Sequence, residues 1–120
     1  ESLYQFQSDA IREVAKQNDR CVFVGRTADY ILRDNPNCVN VFITSSMQTR
    51  IANVCERRGC TEDEARKLIE NGESERAKYY NYYTAKTWGH AESYDLCIDA
   101  SILGLEGTKD VIADFIRKRA

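Results

Sequence analysis

Short apolar runs that alternate with helix-like segments constrain the fold of this sequence more than any other feature. Residues 21–24 and 96–98 are continuously apolar, and residues 39–44 (VNVFIT) form a third strand-like run. Such runs are typical of parallel-sheet strands covered on both faces. The predicted order is helix, strand, helix, strand, three helices, strand, helix. The sequence therefore predicts an α/β fold with a parallel sheet flanked by helices.

Capping patterns predict where the helices begin and end. Ser45 and Gln48 form one capping box. Thr61 and Glu64 form another. Gly59 is placed to end the helix that begins at the first capping box. Apolar periodicity and turn residues give the other boundaries. The predicted helices cover residues 8–18, a short piece after 26, residues 46–58, 61–70 and 73–88, and a segment that starts near residue 108.

Length and composition limit the class of protein. The chain has 120 residues, enough for one core but too few for two. Its net charge of −2 argues against non-specific nucleic-acid binding, which needs a basic surface. No apolar run approaches the ~20 residues of a membrane span, and no signal peptide opens the sequence. We therefore predict one cytoplasmic domain over residues 1–120, with neither a nucleic acid nor a membrane as partner.

The first residue and the cysteines add two expectations. The sequence opens on Glu1 and its single Met is Met47, so we expect a piece of a longer protein. Five cysteines without CxxC spacing and one histidine do not predict a metal site. Cys21 and Cys97 lie in apolar runs and are predicted to be small buried residues with free thiols. Free thiols fit a reducing compartment.

Polar residues follow the predicted strands, at the edge where parallel sheets bind their ligands. Arg26 ends the first strand after Gly25, which lets the backbone approach a ligand closely. Its guanidinium would grip phosphate oxygens through two parallel hydrogen bonds. The alternative is an ion pair with a nearby acid such as Asp29. Asp99 follows the last strand and would either cap a helix or help to hold a metal.

The helix over residues 46–58 carries clustered arginines. Arg50, Asn53 and Arg57 are spaced by three and four, so they share a helix face, and Arg58 lies beside it. Such a face would surround a polyphosphate. The alternative is a solvated surface opposite the apolar stripe of the helix.

The segment ESERAKYYNYYTAKTW combines basic residues with four tyrosines in five positions. Arg76, Tyr80 and Tyr83 share one helix face, where tyrosines offer a flat surface for a base and hydroxyls for a phosphate. In the alternative, Tyr79 and Tyr82 pack inward and the other tyrosines cover a seam between helices.

No nucleophile, base and orienting group occur together, so triad-type catalysis has no support. His90 is the single histidine and is assigned no role. Phosphoryl transfer needs charge and positioning rather than a reactive side chain, and the arginines suit it.

In order and spacing, three pieces of the sequence resemble the cytidylate-kinase-like family of P-loop nucleoside monophosphate kinases. The pieces are CVFVGRTADYIL, then VFITSSMQTRIANVCERRG, then ESERAKYYNYYTAKTWG followed by YDLCIDASILGLEGTKDVI. Together they cover nearly the whole chain from Asp9 onward. The resemblance implies a P-loop NTPase-like fold, incomplete at the N-terminus, and ATP- and Mg²⁺-dependent phosphoryl transfer to a nucleoside monophosphate (cytidylate-like) or a similar small acceptor.

The resemblance also implies roles for single residues. Arg26 would bind the acceptor phosphate, with Asp29 nearby on the substrate side. Arg50 would stand at the entry of a lid-like helical segment over residues 46–89, and Arg76 would reach the transferring phosphoryl group. The substrate side also includes Tyr80 and Tyr83, which stand where the family has an acid and an arginine. On the ATP side, Arg57 and Arg58 would substitute for lid-entry arginines that this sequence lacks.

One element of the family is absent from the sequence. No G-x-x-x-x-G-K-[ST] loop occurs, although the family holds the donor phosphates with it. In the family its strand lies between those ending at Arg26 and Thr44. We expect the parent protein to supply this loop and residues 1–120 alone to be inactive. Two alternatives stay open: a non-catalytic nucleotide-binding or regulatory module, and an oligomerising fragment that forms a homodimer through residues 79–83.

Overall fold

The structure, a computed structural model, describes residues 2–119. Helices make up most of it and two short strands form its sheet. The elements, in chain order, are α1 (Ser2–Gln17), α2 (Ala28–Ile31), β1 (Val41–Thr44), α3 (Met47–Arg58), α4 (Glu62–Thr84), β2 (Leu96–Asp99) and α5 (Ala100–Arg119), with a single 3₁₀ turn at Ala91–Ser93 before β2.

The sheet consists of β1 and β2, which pair in parallel from Val41 opposite Leu96 to Thr44 opposite Asp99. The crossover between the two strands contains α3 and α4, and α5 packs against both strands. The predicted α/β class, with a parallel sheet flanked by helices, is confirmed. Both strands end at the same edge, which places the polar residues after Thr44 and after Asp99 side by side.

The strand predicted at residues 21–24 is wrong. These residues adopt no strand, and the side chains of Val22 and Val24 are each 89% exposed. A strand needs a hydrogen-bonding neighbour, and none of the described residues pairs with this segment. Ile43 of β1 is also exposed, at 55%. The prediction that Cys21 is buried fails for the same reason, and Cys97 of β2 is exposed as well.

Helix α3 begins and ends close to its predicted boundaries. Its N-cap is Ser46 rather than the predicted Ser45, because the Ser46 hydroxyl accepts a hydrogen bond from the Thr49 backbone N–H at 3.1 Å. The predicted capping box of Ser45 and Gln48 is therefore wrong, and the side-chain cap lies one residue later. Gly59 ends the helix in the left-handed conformation, with φ of 63°, as predicted.

Helix α4 is one helix of 23 residues, where two were predicted. Its predicted capping box is confirmed, since Thr61 Oγ1 accepts from the Glu64 N–H and the Glu64 carboxylate accepts from the Thr61 N–H. The helix continues through Gly72, which was expected to end it. One glycine in a helix interior costs about 1 kcal/mol, which the long flanking helix and its packing against α3 outweigh.

Helix α5 begins at Ala100 and not near Thr108, so the predicted start is also wrong. Asp99 caps it, because its carboxylate accepts hydrogen bonds from the Ser101 N–H at 2.9 Å and the Ser101 hydroxyl at 2.5 Å. The helix breaks at Gly104, whose φ is 73°. The apolar periodicity used for the prediction described only the part after this break.

Two small apolar clusters hold the helices together. Ile51, Val54, Ala65 and Ile69 pack α3 against α4. Helices α1 and α2 meet in the other cluster, which consists of Ile11, Ala28 and Ile31. No helix among residues 2–119 is both long enough and apolar enough to cross a membrane.

Candidate functional site

An arginine groove of about 450 Å³ lies between α3 and α4. Helix α3 contributes three arginines and α4 contributes a fourth, above apolar side chains that include Val54 and Ile69. The residues that line it are Arg50, Asn53, Val54, Arg57, Arg58, Leu68, Ile69, Gly72 and Arg76. The structure thus brings the four predicted lid-side arginines to one surface. Its four positive charges suit an anionic ligand such as a polyphosphate.

Arg50 is held at the rim of the groove by an acid on the opposite helix. Its Nη1 contacts the Glu73 carboxylate, and the two side chains are 29% and 33% exposed. The Nε–H of Arg50 is buried and has no hydrogen-bond acceptor among the residues described. A buried donor of this kind is costly unless it finds an acceptor. Glu73 therefore holds the Arg50 guanidinium in position, but the Nε–H still lacks a hydrogen-bond acceptor among the described residues.

Arg76 lies flat along α4. A Cβ added to Gly72 would stand 3.5 Å from Arg76 Nη1, so the small glycine leaves space for the guanidinium. The indole of Trp88 lies on it as well, with 5.5 Å between the Arg76 Cζ and the ring centroid. Phe42 of β1 packs edge-on against Trp88, at a centroid distance of 5.2 Å. This aromatic contact ties the groove arginine to the sheet.

Arg26 lies in a strained turn just before α2. Gly25, Arg26 and Thr27 all have positive φ, of 71°, 59° and 54°. Left-handed backbone is unfavourable for a β-branched residue such as Thr27, and strain of this kind clusters at functional sites. The hydroxyl of Tyr4, 2.8 Å from Thr27 Oγ1, secures the turn.

The turn presents the Arg26 side chain to solvent. None of the ion pairs in the described part of the chain includes it. The alternative ion pair with Asp29 is therefore not formed. Arg26 does not line the arginine groove.

Tyr80 connects the turn that carries Arg26 with the helix that carries Arg76. Its hydroxyl donates to Asp29 Oδ2 at 2.7 Å, and its side chain is only 6% exposed. Burial and the neighbouring carboxylate raise the pKa of Tyr80 well above its ordinary value. Tyr80 follows Arg76 by one helical turn, and Asp29 follows Arg26 by three residues. The contact therefore fixes the two arginine-bearing elements relative to each other.

The other tyrosines of α4 pack mainly against α1. The ring of Tyr83 stacks on Tyr4 with centroids 3.9 Å apart, and the Tyr79 hydroxyl donates to Gln7 at 3.1 Å. Tyr82 is 80% exposed, so the alternative in which it packs inward does not hold for this residue. Arg76 faces the groove, whereas Tyr80 and Tyr83 contact α2 and α1. Their predicted common face is therefore divided between two surroundings.

We expect Tyr80→Phe to lower the free energy of unfolding by about 1–3 kcal/mol, because Asp29 loses its donor in a half-buried place. Urea denaturation measures this effect. Tyr82→Phe removes an exposed hydroxyl and should change the free energy of unfolding little.

The raised pKa of Tyr80 means that the folded state disfavours the phenolate. Stability is therefore present below the unfolded tyrosine pKa of about 10 and falls as the pH rises above it. Tyr80→Phe should weaken this alkaline fall, and equal stability of both variants would contradict the assigned contact.

Asp99 acts as a helix cap, one of its two predicted alternatives. Its hydrogen bonds with Ser101 lower the pKa of its carboxyl group. Residues 2–119 contain no group of three or more His, Cys, Asp or Glu side chains arranged to hold a metal ion. The side chains described here therefore do not form a protein ligand set for Mg²⁺.

Sequence reasoning missed two residues that contact the groove arginines, Glu73 and Trp88. Glu73 was considered only as the start of a predicted helix, and Trp88 only as the end. The spacing of Glu73 three residues before Arg76 suggests a pair within the helix, but Glu73 contacts Arg50 of α3 instead, which no local pattern indicates. No local pattern links Trp88 with Arg76, because the chain must turn after α4 to bring them together.

Comparisons with known proteins give a consistent relationship. The model of a family described as the cytidylate kinase-like family matches residues 1–102. A cytidylate kinase of Methanosarcina barkeri is 24% identical over 91 residues, which cover 74% of this chain and 50% of that protein. The crystal structure of an uncharacterized protein from Eubacterium ventriosum superposes with a TM-score of 0.91 at 32% identity, over 96% of this chain and 65% of the other. The chain thus spans about half the length of the curated relative.

Proposed function

The chain belongs to the cytidylate kinase-like family, and from this premise we propose that it forms the acceptor and lid parts of an enzyme that transfers the γ-phosphoryl group of ATP to a nucleoside monophosphate. The arginine groove carries this proposal. Phosphoryl transfer depends on cations placed around the transferring group, and four arginines line one groove. An ordinary solvated helix face does not bury an arginine Nε–H without an acceptor, as this face does at Arg50.

The proposed roles follow from position. Arg76 and Arg50 stabilise the transferring group, and Arg57 and Arg58 hold the phosphates of ATP. On the acceptor side, Arg26 binds the monophosphate from its strained turn. Residues 46–89 form the lid-like segment, which the small core of Ile51, Val54, Ala65 and Ile69 holds together as a unit.

Tyr80 and Tyr83 contribute to the substrate side of this proposal indirectly. Tyr80 holds Asp29, which lies in the element after Arg26, and Tyr83 holds α1. Direct contact of either tyrosine with substrate requires α4 to move away from α1 and α2. We propose that closure of the lid-like segment brings about this movement of α4, since lid closure commonly completes a kinase active site.

The donor phosphates need a further element, which we propose is a P-loop and its strand from outside residues 2–119. The position of this strand is suggested by three apolar side chains that are exposed, those of Val22, Val24 and Ile43. A strand inserted between residues 21–24 and β1 would pair with both edges and cover them. The radius of gyration of 16.0 Å exceeds the roughly 14 Å of a compact domain of this length, which agrees with an incomplete core.

ATP fits the arginine groove through its phosphates. When bound, it supplies the phosphoryl group, and the arginines orient and neutralise the phosphate oxygens. Mg²⁺ binds chiefly through phosphate oxygens and waters in sites of this kind. Because the described residues lack a carboxylate cluster, no step is assigned to a metal held by this part of the chain.

The proposal is tested with the full-length gene product and radiolabelled ATP. We expect transfer of label to at least one of CMP, dCMP, UMP or AMP, and no transfer by residues 1–120 alone. Nucleotide binding without transfer by the full-length product would favour the non-catalytic module. If light scattering shows a dimer that Tyr82→Ser disrupts, while nucleotide binding is absent, the oligomerising fragment is favoured.

A further inference from the structure

One acid lies beside the arginine groove and contacts one of its arginines. Glu73 lies on α4 between Gly72 and Arg76, which both line the groove, and its carboxylate contacts Arg50 on α3. The two side chains are each about two-thirds buried. The two helices that form the groove are thus joined by an ion pair beside it, and one member of the pair, Arg50, also lines the groove.

The ion pair leaves Arg50 with an unused donor. Its Nε–H is buried and lacks an acceptor among the described residues, although Nη1 contacts Glu73. A carboxylate that took both parallel donors of the guanidinium would satisfy Nε as well. Glu73 does not, so the pairing is incomplete. A phosphate group, with three acceptor oxygens, can engage both donors.

The other arginines have no such partner. None of the ion pairs within residues 2–119 includes Arg57, Arg58 or Arg76. Arg76 reaches back towards Gly72, the residue that precedes Glu73 on the same helix. Glu73 therefore offsets the positive charge of Arg50, and its negative charge opposes any anion that enters the neighbouring groove.

We propose that Glu73 is a built-in counter-ion, which occupies Arg50 in the ligand-free protein and gives it up when the phosphates of a nucleotide enter. The inference rests on the proposed function of the groove as a polyphosphate site. It adds a regulatory element to that site, since the affinity for phosphates is lowered by the need to displace Glu73. The same ion pair stabilises the ligand-free packing of α3 against α4.

Glu73→Gln tests the proposal because it removes the charge and keeps the size of the side chain. We expect inorganic tripolyphosphate, titrated calorimetrically at low ionic strength, to bind roughly five-fold more tightly to this variant than to the wild-type protein. Urea denaturation without ligand should show that the variant is less stable. Tighter binding together with lower stability is the signature of an internal competitor.

Glu75→Gln is the matched control, because Glu75 is exposed on the same helix and its loss changes the net charge equally. Its tripolyphosphate affinity should rise by much less than that of Glu73→Gln. Equal gains in both variants would reduce the effect to net charge and overturn the proposal. Glu73→Asp keeps the charge on a shorter side chain and provides a second folded variant, with an expected affinity between wild type and Glu73→Gln.

Arg57→Ala separates the failure of this inference from the failure of the proposed function. If Arg57→Ala weakens tripolyphosphate binding while Glu73→Gln leaves it unchanged or weaker, the groove is a phosphate site and Glu73 is merely structural. If no variant, nor the wild-type protein, binds tripolyphosphate, both the groove's function and the role of Glu73 are overturned.

Discussion

Replacing Arg76 with alanine in the full-length gene product is expected to slow phosphoryl transfer by roughly 10³-fold, with little change in the apparent affinity for the acceptor. An arginine that neutralises the transition state of phosphoryl transfer contributes at least this much to kcat. The side chain is pre-placed for that role by Gly72 beneath it and Trp88 against it. Its planar fork matches phosphate oxygens, so Arg76→Lys should recover only part of the rate.

Steady-state kinetics with ATP and the preferred monophosphate measure this effect. The matched control is Lys78→Ala, since Lys78 is an exposed cation two residues further along α4 and does not line the groove. That variant should keep a rate close to the wild-type rate. An Arg76→Ala enzyme with unchanged kcat would remove Arg76 from the catalytic residues, whatever its effect on KM.

Arg26→Ala is expected to raise the KM for the monophosphate acceptor by roughly 100-fold while kcat falls far less. The estimate corresponds to the loss of two charge-assisted hydrogen bonds, about 3 kcal/mol together. Arg26 is exposed, unpaired within the described residues, and held in a turn whose backbone is strained at Arg26 itself and at Thr27. Such a turn keeps the guanidinium available instead of allowing an ion pair to occupy it.

The backbone strain provides an internal control for Arg26. Arg26→Gly removes the same guanidinium but suits the positive φ of 59°, so it should stabilise the fold by about 1 kcal/mol relative to Arg26→Ala. Both variants should nevertheless lose the acceptor equally. Arg20→Ala removes a nearby exposed cation outside the turn and should leave the KM for the acceptor unchanged. If Arg20→Ala and Arg26→Ala raise KM to the same extent, the effect is general electrostatics and not a specific contact.

The parts of the site that lie within one helix were predictable from the sequence. The spacing of Arg50, Asn53 and Arg57 is enough to place them on one face, and the structure puts all three in one groove. Gly59 and the capping box of Thr61 act through hydrogen bonds within a few residues of themselves. Features whose causes are local are the ones that local patterns predict.

The predictions that were wrong, and the contacts that were missed, depend on residues far apart in the sequence. Residues 21–24 have the composition of a covered strand, but composition cannot say whether the covering strand is present in the described chain. Gly72 is a plausible helix end from the local sequence alone. The helix continues through it because α4 packs against α3, which the local sequence does not show. The hydrogen bond between Tyr80 and Asp29 joins residues 51 apart in sequence. The ion pair of Arg50 with Glu73 likewise needs both helices in place, so no spacing rule reveals it.

The proposed function requires that Arg26 and the arginine groove bind one and the same ligand. A crystal structure of the full-length gene product with a bisubstrate analogue, adenosine joined to a pyrimidine nucleoside by five phosphates, tests it directly. We predict that the guanidinium groups of Arg26 and Arg76 both lie within hydrogen-bond distance of the same phosphate chain. A phosphate chain that contacts only one of the two arginines, or neither, would contradict the account.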